Sequence, residues 1–202
     1  MGAVYIVEGI PGSGKDTLVN ALVEALRPEE RRVLVYPEEA VLATWLYYFL
    51  PGIHELRLHL THRIVDYAQV TLRRDPETAF VFNRFHISHA IWRQEHGADP
   101  RLEGSHERLV EKLQQLPVLI LQAVLEEDEA DQRSRHIERR DVAWQRFVEE
   151  RIAFQGKASA GDTWYPQQQE MARLLERDGL PFTQVKVQPG EPLDLEPFLL
   201  EE

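Results

Sequence analysis

A segment near the start of the chain reads Gly9-Ile10-Pro11-Gly12-Ser13-Gly14-Lys15-Asp16-Thr17, and its first part fits the pattern G-x-x-x-x-G-K. Glycines allow the backbone to turn tightly, so that successive N–H groups point into one concavity that suits phosphate oxygens. A helix beginning near the lysine adds its positive N-terminal end, and the lysine ammonium reaches the terminal phosphates. This segment therefore predicts a binding site for a nucleoside triphosphate.

The flanks of this segment support that interpretation. Residues 3–7 form a short β-branched run typical of a buried strand, and residues 17–26 place Leu18, Leu22 and Leu26 at helical spacing. A loop that follows a strand and opens an amphipathic helix has the context that phosphate binding requires. The expected triphosphate contacts are Gly9, Gly12, Ser13, Gly14, Lys15, Asp16 and Thr17. Lys15 is also an expected catalytic residue.

The rest of the chain alternates short apolar runs with longer amphipathic ones. The pattern predicts strands over residues 3–7, 33–36, 79–82, 118–124 and 182–187, the last of them resembling an edge strand. It predicts helices over residues 17–26, 38–49, 54–72, 86–95, 106–113, 143–154 and 167–177. This alternation favours a mostly parallel five-stranded sheet with helices on both faces, and together with the loop motif it predicts a three-layer α/β/α P-loop NTPase fold. The 202 residues, 43% of them hydrophobic, predict a single domain over residues 1–202.

Composition excludes several classes of partner. The net charge of −11 would repel nucleic acid and anionic membranes at long range. The chain has no cysteine for disulfides or thiolate metal sites, and no apolar run approaches the roughly 20 residues of a membrane span. We therefore expect a cytoplasmic protein that binds small molecules, with no nucleic-acid polymer and no membrane as partner. An anionic ligand then needs a local basic site.

The position after the lysine departs from the usual pattern, which places a Ser or Thr there to bind Mg²⁺. Asp16 occupies it, and Thr17 follows. The loop resembles that of adenylate kinases and related nucleotide kinases, in which the hydroxyl lies two places after the lysine, and this resemblance implies that Thr17 supplies the metal-binding hydroxyl. We expect Asp16 to be a solvated residue favoured by the helix dipole, with contact to the metal as the alternative. The expected cofactors are ATP and Mg²⁺, although the sequence leaves ATP and GTP equally open.

A second polar group follows the third predicted strand, where the chain reads Asn83-Arg84-Phe85 with Ser88 shortly after. Ligands of open α/β sheets bind outside the carboxyl ends of the strands. Arg84 therefore lies where a guanidinium can clamp a phosphate with two parallel hydrogen bonds. We predict Arg84 as a catalytic and substrate-binding residue, the alternative being an ordinary surface arginine.

Together these motifs resemble the P-loop nucleoside and nucleotide kinases, and most closely the thymidylate kinases. That family carries Glu-Gly before the loop, matched by Glu8-Gly9, and a strand ending Asp-Arg-aromatic followed by Ser, matched in part by Asn83-Arg84-Phe85 and Ser88. The resemblance implies an ATP-dependent phosphotransferase whose acceptor is a nucleoside monophosphate. It leaves a homodimer open.

The resemblance also implies two further substrate contacts. Arg63 lies at the distance from the third strand at which the family places a base-holding arginine, with a solvated helix residue as the alternative. Glu38 follows the second strand, where the family has Glu-Pro, and together with Glu8 and Glu39 it can approach the metal or a substrate hydroxyl.

The chain departs from the family at two positions where the family carries acids. Pro11 replaces one and Asn83 the other, and a neutral amide is a weaker Mg²⁺ ligand than a carboxylate. Two alternatives follow: a nucleotide-binding protein without transferase activity, and a kinase of a small non-nucleotide alcohol.

Residues 132–140 are rich in arginine, with Arg133, Arg135, Arg139 and Arg140. Phosphoryl transfer spreads negative charge over the γ-phosphate oxygens, which a mobile arginine can neutralise. We predict a small lid over approximately residues 126–141 in which Arg133 and Arg139 are catalytic. The alternative is a solvated helix face whose arginines pair with neighbouring acids.

An aromatic cluster follows the second strand and contains Trp45, Tyr47, Tyr48 and Phe49. Its side chains fit the packed core of the domain. The alternative is a pocket wall that stacks on a base.

Overall fold

The computed structural model describes residues 2–27, 31–95, 104–130, 142–188 and 190–199. Most of the lid expected over residues 126–141, including Arg133 and Arg139, lies outside the described residues, and its role stays a prediction.

One parallel sheet forms the centre of the described chain. Its strands are β1 Ala3–Gly9, β2 Arg32–Tyr36, β3 Thr78–Asn83, β4 Val118–Val124 and β5 Phe182–Lys186. The strand order is β2-β3-β1-β4-β5, with every neighbouring pair parallel. The five predicted strands and the edge position of β5 are confirmed.

Helices cover both faces of the sheet. They are α1 Lys15–Leu26, α2 Ile53–Arg74, α3 His86–Glu95, α4 Ser105–Leu113, α5 Val142–Gln155 and α6 Ala160–Asp178. Successive residues of β1 point to opposite faces, so that Tyr5 and Val7 pack with α1 while Val4 and Ile6 pack with the core formed by α2 to α6. The fold is therefore the expected three-layer α/β/α arrangement. No helix within the described ranges combines the length and apolarity needed to cross a membrane.

The central strand sets the place of the site. All seven residues of β1 are buried, and β1 pairs with β3 on one side and β4 on the other. The connection after β1 leads to β2 on one side of the sheet, and the connection after β3 leads to β4 on the other side. This change of direction opens a crevice at the carboxyl end of β1. The loop that joins β1 to α1 lies at this crevice.

The single helix predicted over residues 38–49 is wrong. The structure has two short 3₁₀ turns there, Glu38–Val41 and Trp45–Tyr47, separated at Leu42, whose φ of 56° is left-handed. The carbonyl of Leu42 accepts a hydrogen bond from the buried side chain of Arg57 on α2. A continuous helix would have needed that carbonyl for its own ladder, and the tertiary contact prevails over local propensity.

Helix α6 begins at Ala160 rather than at residue 167. Ser159 caps it by accepting a hydrogen bond from the backbone N–H of Asp162 at 3.1 Å. Gly161 and Pro166 favour a later start in the sequence, because Pro166 lacks an N–H for the helical ladder. The buried face of α6 compensates for that missing bond by packing against the core.

Glu95, at the end of α3, joins three helices. Its carboxylate accepts hydrogen bonds from the Tyr48 hydroxyl at 2.6 Å, from Arg151 of α5 at 2.9 and 3.0 Å, and from Gln155 at 2.8 Å. Gln167 of α6 donates to the same carboxylate. Because the partners come from different elements, Glu95 fixes α5 and α6 against α3.

Removing this carboxylate should destabilise the fold strongly. The guanidinium of Arg151 is fully buried, its burial lowers its pKa, and Glu95 is the main group that opposes this shift. We expect Glu95→Ala to lower the free energy of unfolding by about 3–5 kcal/mol, because it leaves a buried charge unpaired. Urea denaturation followed by circular dichroism measures the change.

The matched control lies on α5, the helix that carries Arg151. Glu150 pairs with Arg146 at 2.8 Å, but the Arg146 side chain is 79% exposed. Glu150→Ala should therefore cost less than about 1 kcal/mol. Equal losses for the two variants would contradict a special role for Glu95.

Candidate active site

The loop between β1 and α1 has the backbone that its glycines predict. Gly9 has a φ of 152° and Gly14 a φ of 87°. A Cβ atom on Gly14 would lie 2.7 Å from the side chain of Val187, and one on Gly9 would lie 2.6 Å from the carbonyl oxygen of Ala123. Both positions therefore require glycine for space as well as conformation.

The predicted loop contacts divide into two groups. Gly12, Gly14, Lys15, Asp16 and Thr17 line a single pocket. Gly9 and Ser13 are buried behind that surface and do not line it. The buried hydroxyl of Ser13 has no hydrogen-bond partner within the described residues.

Lys15 is held inside the loop. Its ammonium donates a hydrogen bond to the carbonyl of Ile10 at 3.1 Å, and its side chain is buried. Burial, assisted by the positive charge of Arg84, lowers the pKa of Lys15 to about 8, while Glu38 opposes the shift. An anionic ligand in the pocket would stabilise the ammonium and replace this internal bond.

All four tryptophans of the chain line the same pocket as the loop. They come from four elements and are Trp45, Trp92, Trp144 and Trp164. The rings of Trp45 and Trp144 meet edge to face with centroids 5.4 Å apart, and Phe147 lies 5.3 Å from Trp144. Such rings give the pocket wide apolar walls suited to a flat aromatic ligand.

Arg151 and Gln167 add polar groups to this aromatic wall. Both line the pocket, and both donate to Glu95. The guanidinium carbon of Arg151 lies 4.5 Å from the ring centre of Trp164 and 4.4 Å from that of Tyr48. The cation therefore fixes the orientation of these rings through cation–π contacts.

Arg84 and Glu38 form an ion pair at the pocket. Arg84 Nε donates to Glu38 Oε1 at 2.9 Å, and a second nitrogen of Arg84 donates to the Ser88 hydroxyl at 3.4 Å. Arg84 has a left-handed φ of 64°, a conformation rare for residues other than glycine. Strained backbone of this kind is common at functional sites, and here it brings Arg84 and Glu38 to one pocket.

Glu8 has a different role from that expected. Its carboxylate is fully buried and accepts hydrogen bonds from the backbone N–H groups of Phe85 at 2.9 Å, Ile87 at 3.2 Å and Ser88 at 3.4 Å. The Ser88 hydroxyl donates to its second oxygen at 2.5 Å. Glu8 thus caps the start of α3, and it does not line the pocket.

Two residues at the pocket suit a divalent cation. Asp16 and Thr17 are exposed and line the pocket, so that a carboxylate and a hydroxyl lie beside the phosphate loop. Mg²⁺ needs only one or two protein ligands when phosphates and water complete its shell. No cluster of three His, Asp or Glu side chains arranged for a metal exists among the described residues. The residues present therefore fit a cation that arrives with a triphosphate.

Arg63 does not belong to this pocket. Its side chain on α2 is 86% exposed, lies 4.0 Å from Asp66, and is absent from the pocket wall. The solvated alternative describes it, because its face of α2 points away from the crevice. The aromatic cluster divides in the same way: Trp45 lines the pocket, whereas Tyr48 is fully buried in the core.

The sequence does not predict most of the aromatic residues that line the pocket. Trp144, Phe147 and Arg151 are spaced i, i+3 and i+7 on α5, so they share one helix face. That spacing is visible in the sequence, but it is equally typical of a core-facing stripe. Only the position of α5 beside the phosphate loop shows that this helix face lines the pocket and is not simply a core-facing stripe.

Comparison with known proteins yields distant structural likeness. No protein-family model matches the sequence, and no curated protein is significantly similar to it. The solved structure of APE1195 is 19% identical and covers 88% of this chain and 95% of its own, with a TM-score of 0.47. A deoxyadenosine kinase from M. mycoides, solved with dCMP and dCDP, is 14% identical and covers 90% of this chain and 88% of its own, with a TM-score of 0.44. The fold assignment rests on the strand order and the loop after β1.

The lowered pKa of Lys15 predicts a pH-dependent affinity for triphosphate. Phosphate binding favours the ammonium, whose fraction in the free protein falls as the pH rises above about 8. Affinity should be constant near pH 7 and fall by up to about tenfold per pH unit beyond that pKa. Calorimetric titrations with ATP between pH 7 and pH 10 measure the slope, and Lys15→Ala should bind weakly without it. A wild-type affinity that stays constant to pH 10 would contradict the shift.

Proposed function

We propose that the protein is an ATP-dependent phosphotransferase of the nucleoside and nucleotide kinase type, acting on a hydroxyl of an aromatic acceptor of the nucleoside class. One observation carries the proposal: a single pocket is lined both by the phosphate loop and by all four tryptophans. The terminal phosphate of a triphosphate on the loop would therefore lie next to an acceptor held by the aromatic rings.

The aromatic wall supports a base-bearing acceptor. Stacking of a base on an aromatic side chain contributes about 1–3 kcal/mol, and the wall offers several such rings. Gln167 and Arg151 supply polar groups that can orient a ring edge.

The loop supports the donor. Its backbone N–H groups and Lys15 would hold the phosphates of ATP, while the Thr17 hydroxyl would contact Mg²⁺. A cation held there would supply positive charge that neutralises the charge developing on the phosphate oxygens. Positioning and charge neutralisation supply most of the catalysis in this class of reaction.

Glu38 fits the role of general base. The acceptor oxygen forms a bond to the γ-phosphorus, its proton passes to the Glu38 carboxylate, and the bond to the β–γ bridging oxygen breaks to release ADP. Arg84 holds Glu38 by the hydrogen bond at 2.9 Å and adds positive charge near Lys15. The geometry therefore favours Glu38 as a catalytic residue as well as a substrate contact.

The charges of the pocket favour a neutral acceptor over a monophosphate. The cations among the described lining residues are Lys15, Arg84 and Arg151. Lys15 serves the triphosphate, whereas Arg84 already pairs with Glu38 and Arg151 with Glu95. A monophosphate acceptor would depend on the arginines of residues 132–140, which lie outside the described residues.

A coupled assay of ADP release, run with nucleosides and nucleoside monophosphates, tests the proposal. We expect nucleosides to stimulate release, and Lys15→Ala to abolish it while the circular dichroism spectrum stays unchanged. If only nucleoside monophosphates stimulate ADP release, the acceptor is a nucleotide and not a nucleoside. ATP binding without stimulation by any acceptor would indicate a nucleotide-binding protein that lacks transferase activity.

Glu38→Gln tests the base. The amide still accepts the hydrogen bond from Arg84 but cannot take a proton, so kcat should fall by about 10²–10⁴-fold with little change in KM. The neighbouring Glu39 is exposed and does not line the pocket, so Glu39→Gln should leave both constants unchanged. Full kcat in Glu38→Gln would refute the role of Glu38 in proton transfer.

A further inference from the structure

Asp16 and Asn83 form a pair that joins the phosphate loop to the end of β3. Asn83 Nδ2 donates a hydrogen bond to Asp16 Oδ1 at 2.7 Å. The pair lies at the carboxyl edge of the sheet, because Val7 of β1 is the register partner of Asn83. Two positions far apart in the chain thus meet beside the pocket.

The two partners differ in what they present to the pocket. Asp16 lines it, together with Thr17, whereas Asn83 does not. The hydrogen bond occupies one carboxylate oxygen of Asp16, and no partner for the other is found within the described residues. The carboxylate of Asp16 therefore lies in the pocket wall, and the hydrogen bond from Asn83 restrains it.

The acid and the neutral side chain occupy the reverse of their usual positions in P-loop proteins. Usually a neutral hydroxyl follows the lysine, and an aspartate on a neighbouring strand carries the negative charge of the cation site. Here the acid follows the lysine and the neutral side chain ends the strand. The site thus keeps one negative charge. The carboxylate of Asp16 that carries it lies within hydrogen-bonding distance of Asn83, the strand-end position where the aspartate is usually found.

We propose that Asp16 is the carboxylate that holds the divalent cation of the bound triphosphate, and that Asn83 is a positioning residue for it. The inference rests on the triphosphate binding of the proposed function, but not on phosphoryl transfer. It also explains why Asn83 in place of an acid need not abolish cation binding, since the acid has moved to the loop.

A competing account treats Asp16 as a residue that only complements the dipole of α1. That account gives Asp16 an effect on ATP that is independent of the cation. A cation ligand raises affinity only when the cation is present, and without the cation its negative charge repels the triphosphate. The ratio of affinities with and without Mg²⁺ therefore separates the two.

The experiment measures this ratio by calorimetry with the β,γ-imido analogue of ATP, in Mg²⁺ and in EDTA. We expect Asp16→Asn to lower the Mg²⁺-dependent gain in affinity by at least about tenfold, because even outer partners of metal ligands cost about 10–100-fold when removed. Asn83→Ala should lower the gain in the same direction but by less, because it removes only the hydrogen bond that positions Asp16 and leaves its carboxylate in place.

The control is Glu55→Gln, which removes an acid from the first turn of α2, away from the pocket wall. It should leave the ratio unchanged. A wild-type ratio in Asp16→Asn, or no Mg²⁺-dependent gain in the wild type, would overturn the proposal.

These outcomes are separable from those of the kinase assay. A ratio that falls in Asp16→Asn, in a protein that releases no ADP with any acceptor, would keep the cation site and reject the transferase. An unchanged ratio in Asp16→Asn, in an active enzyme, would reject the cation role alone.

Discussion

The buried carboxylate of Glu8 is the interaction on which the geometry of the site depends. It is the last residue but one of the central strand and accepts hydrogen bonds from the start of α3, including two from Ser88. Burial raises the pKa of Glu8, while the bonds from Ser88 and Phe85 favour the ionised form. Because the phosphate loop begins directly after Glu8, and Arg84 directly precedes Phe85, this single carboxylate sets the distance between loop and arginine.

The same principle, a charge held by partners at helix ends, recurs across the pocket. Glu95 fixes Arg151 at the end of α3, Glu38 holds Arg84, and Asn83 holds Asp16. In a chain with a net charge of −11, these contacts keep the charged side chains of the pocket in fixed positions despite the surrounding negative field. Preorganised charges of this kind need little rearrangement when an anionic ligand binds.

The sequence predicts the layered fold well because its strongest signals are local. Each strand is a short apolar run, and the glycines of the loop have no other explanation that also needs Lys15. It fails where long-range contacts prevail, as at Leu42, whose carbonyl serves Arg57, and at Pro166, which α6 tolerates within its length. The rule that ligands bind at strand ends holds for any parallel sheet, and it predicts that Arg84 lies at the site. Only the resemblance to a family predicts a substrate contact for Arg63, and the structure puts its side chain in solvent.

The aromatic wall is the part of the site that no local pattern could supply. Its four tryptophans span more than half of the chain and meet because α3, α5 and α6 converge. Their convergence has an optical consequence. Indole emission responds to polarity and to nearby rings, and every indole of this protein lies in the pocket wall. The intrinsic fluorescence of the protein is thus a label-free report on whether that one pocket is filled.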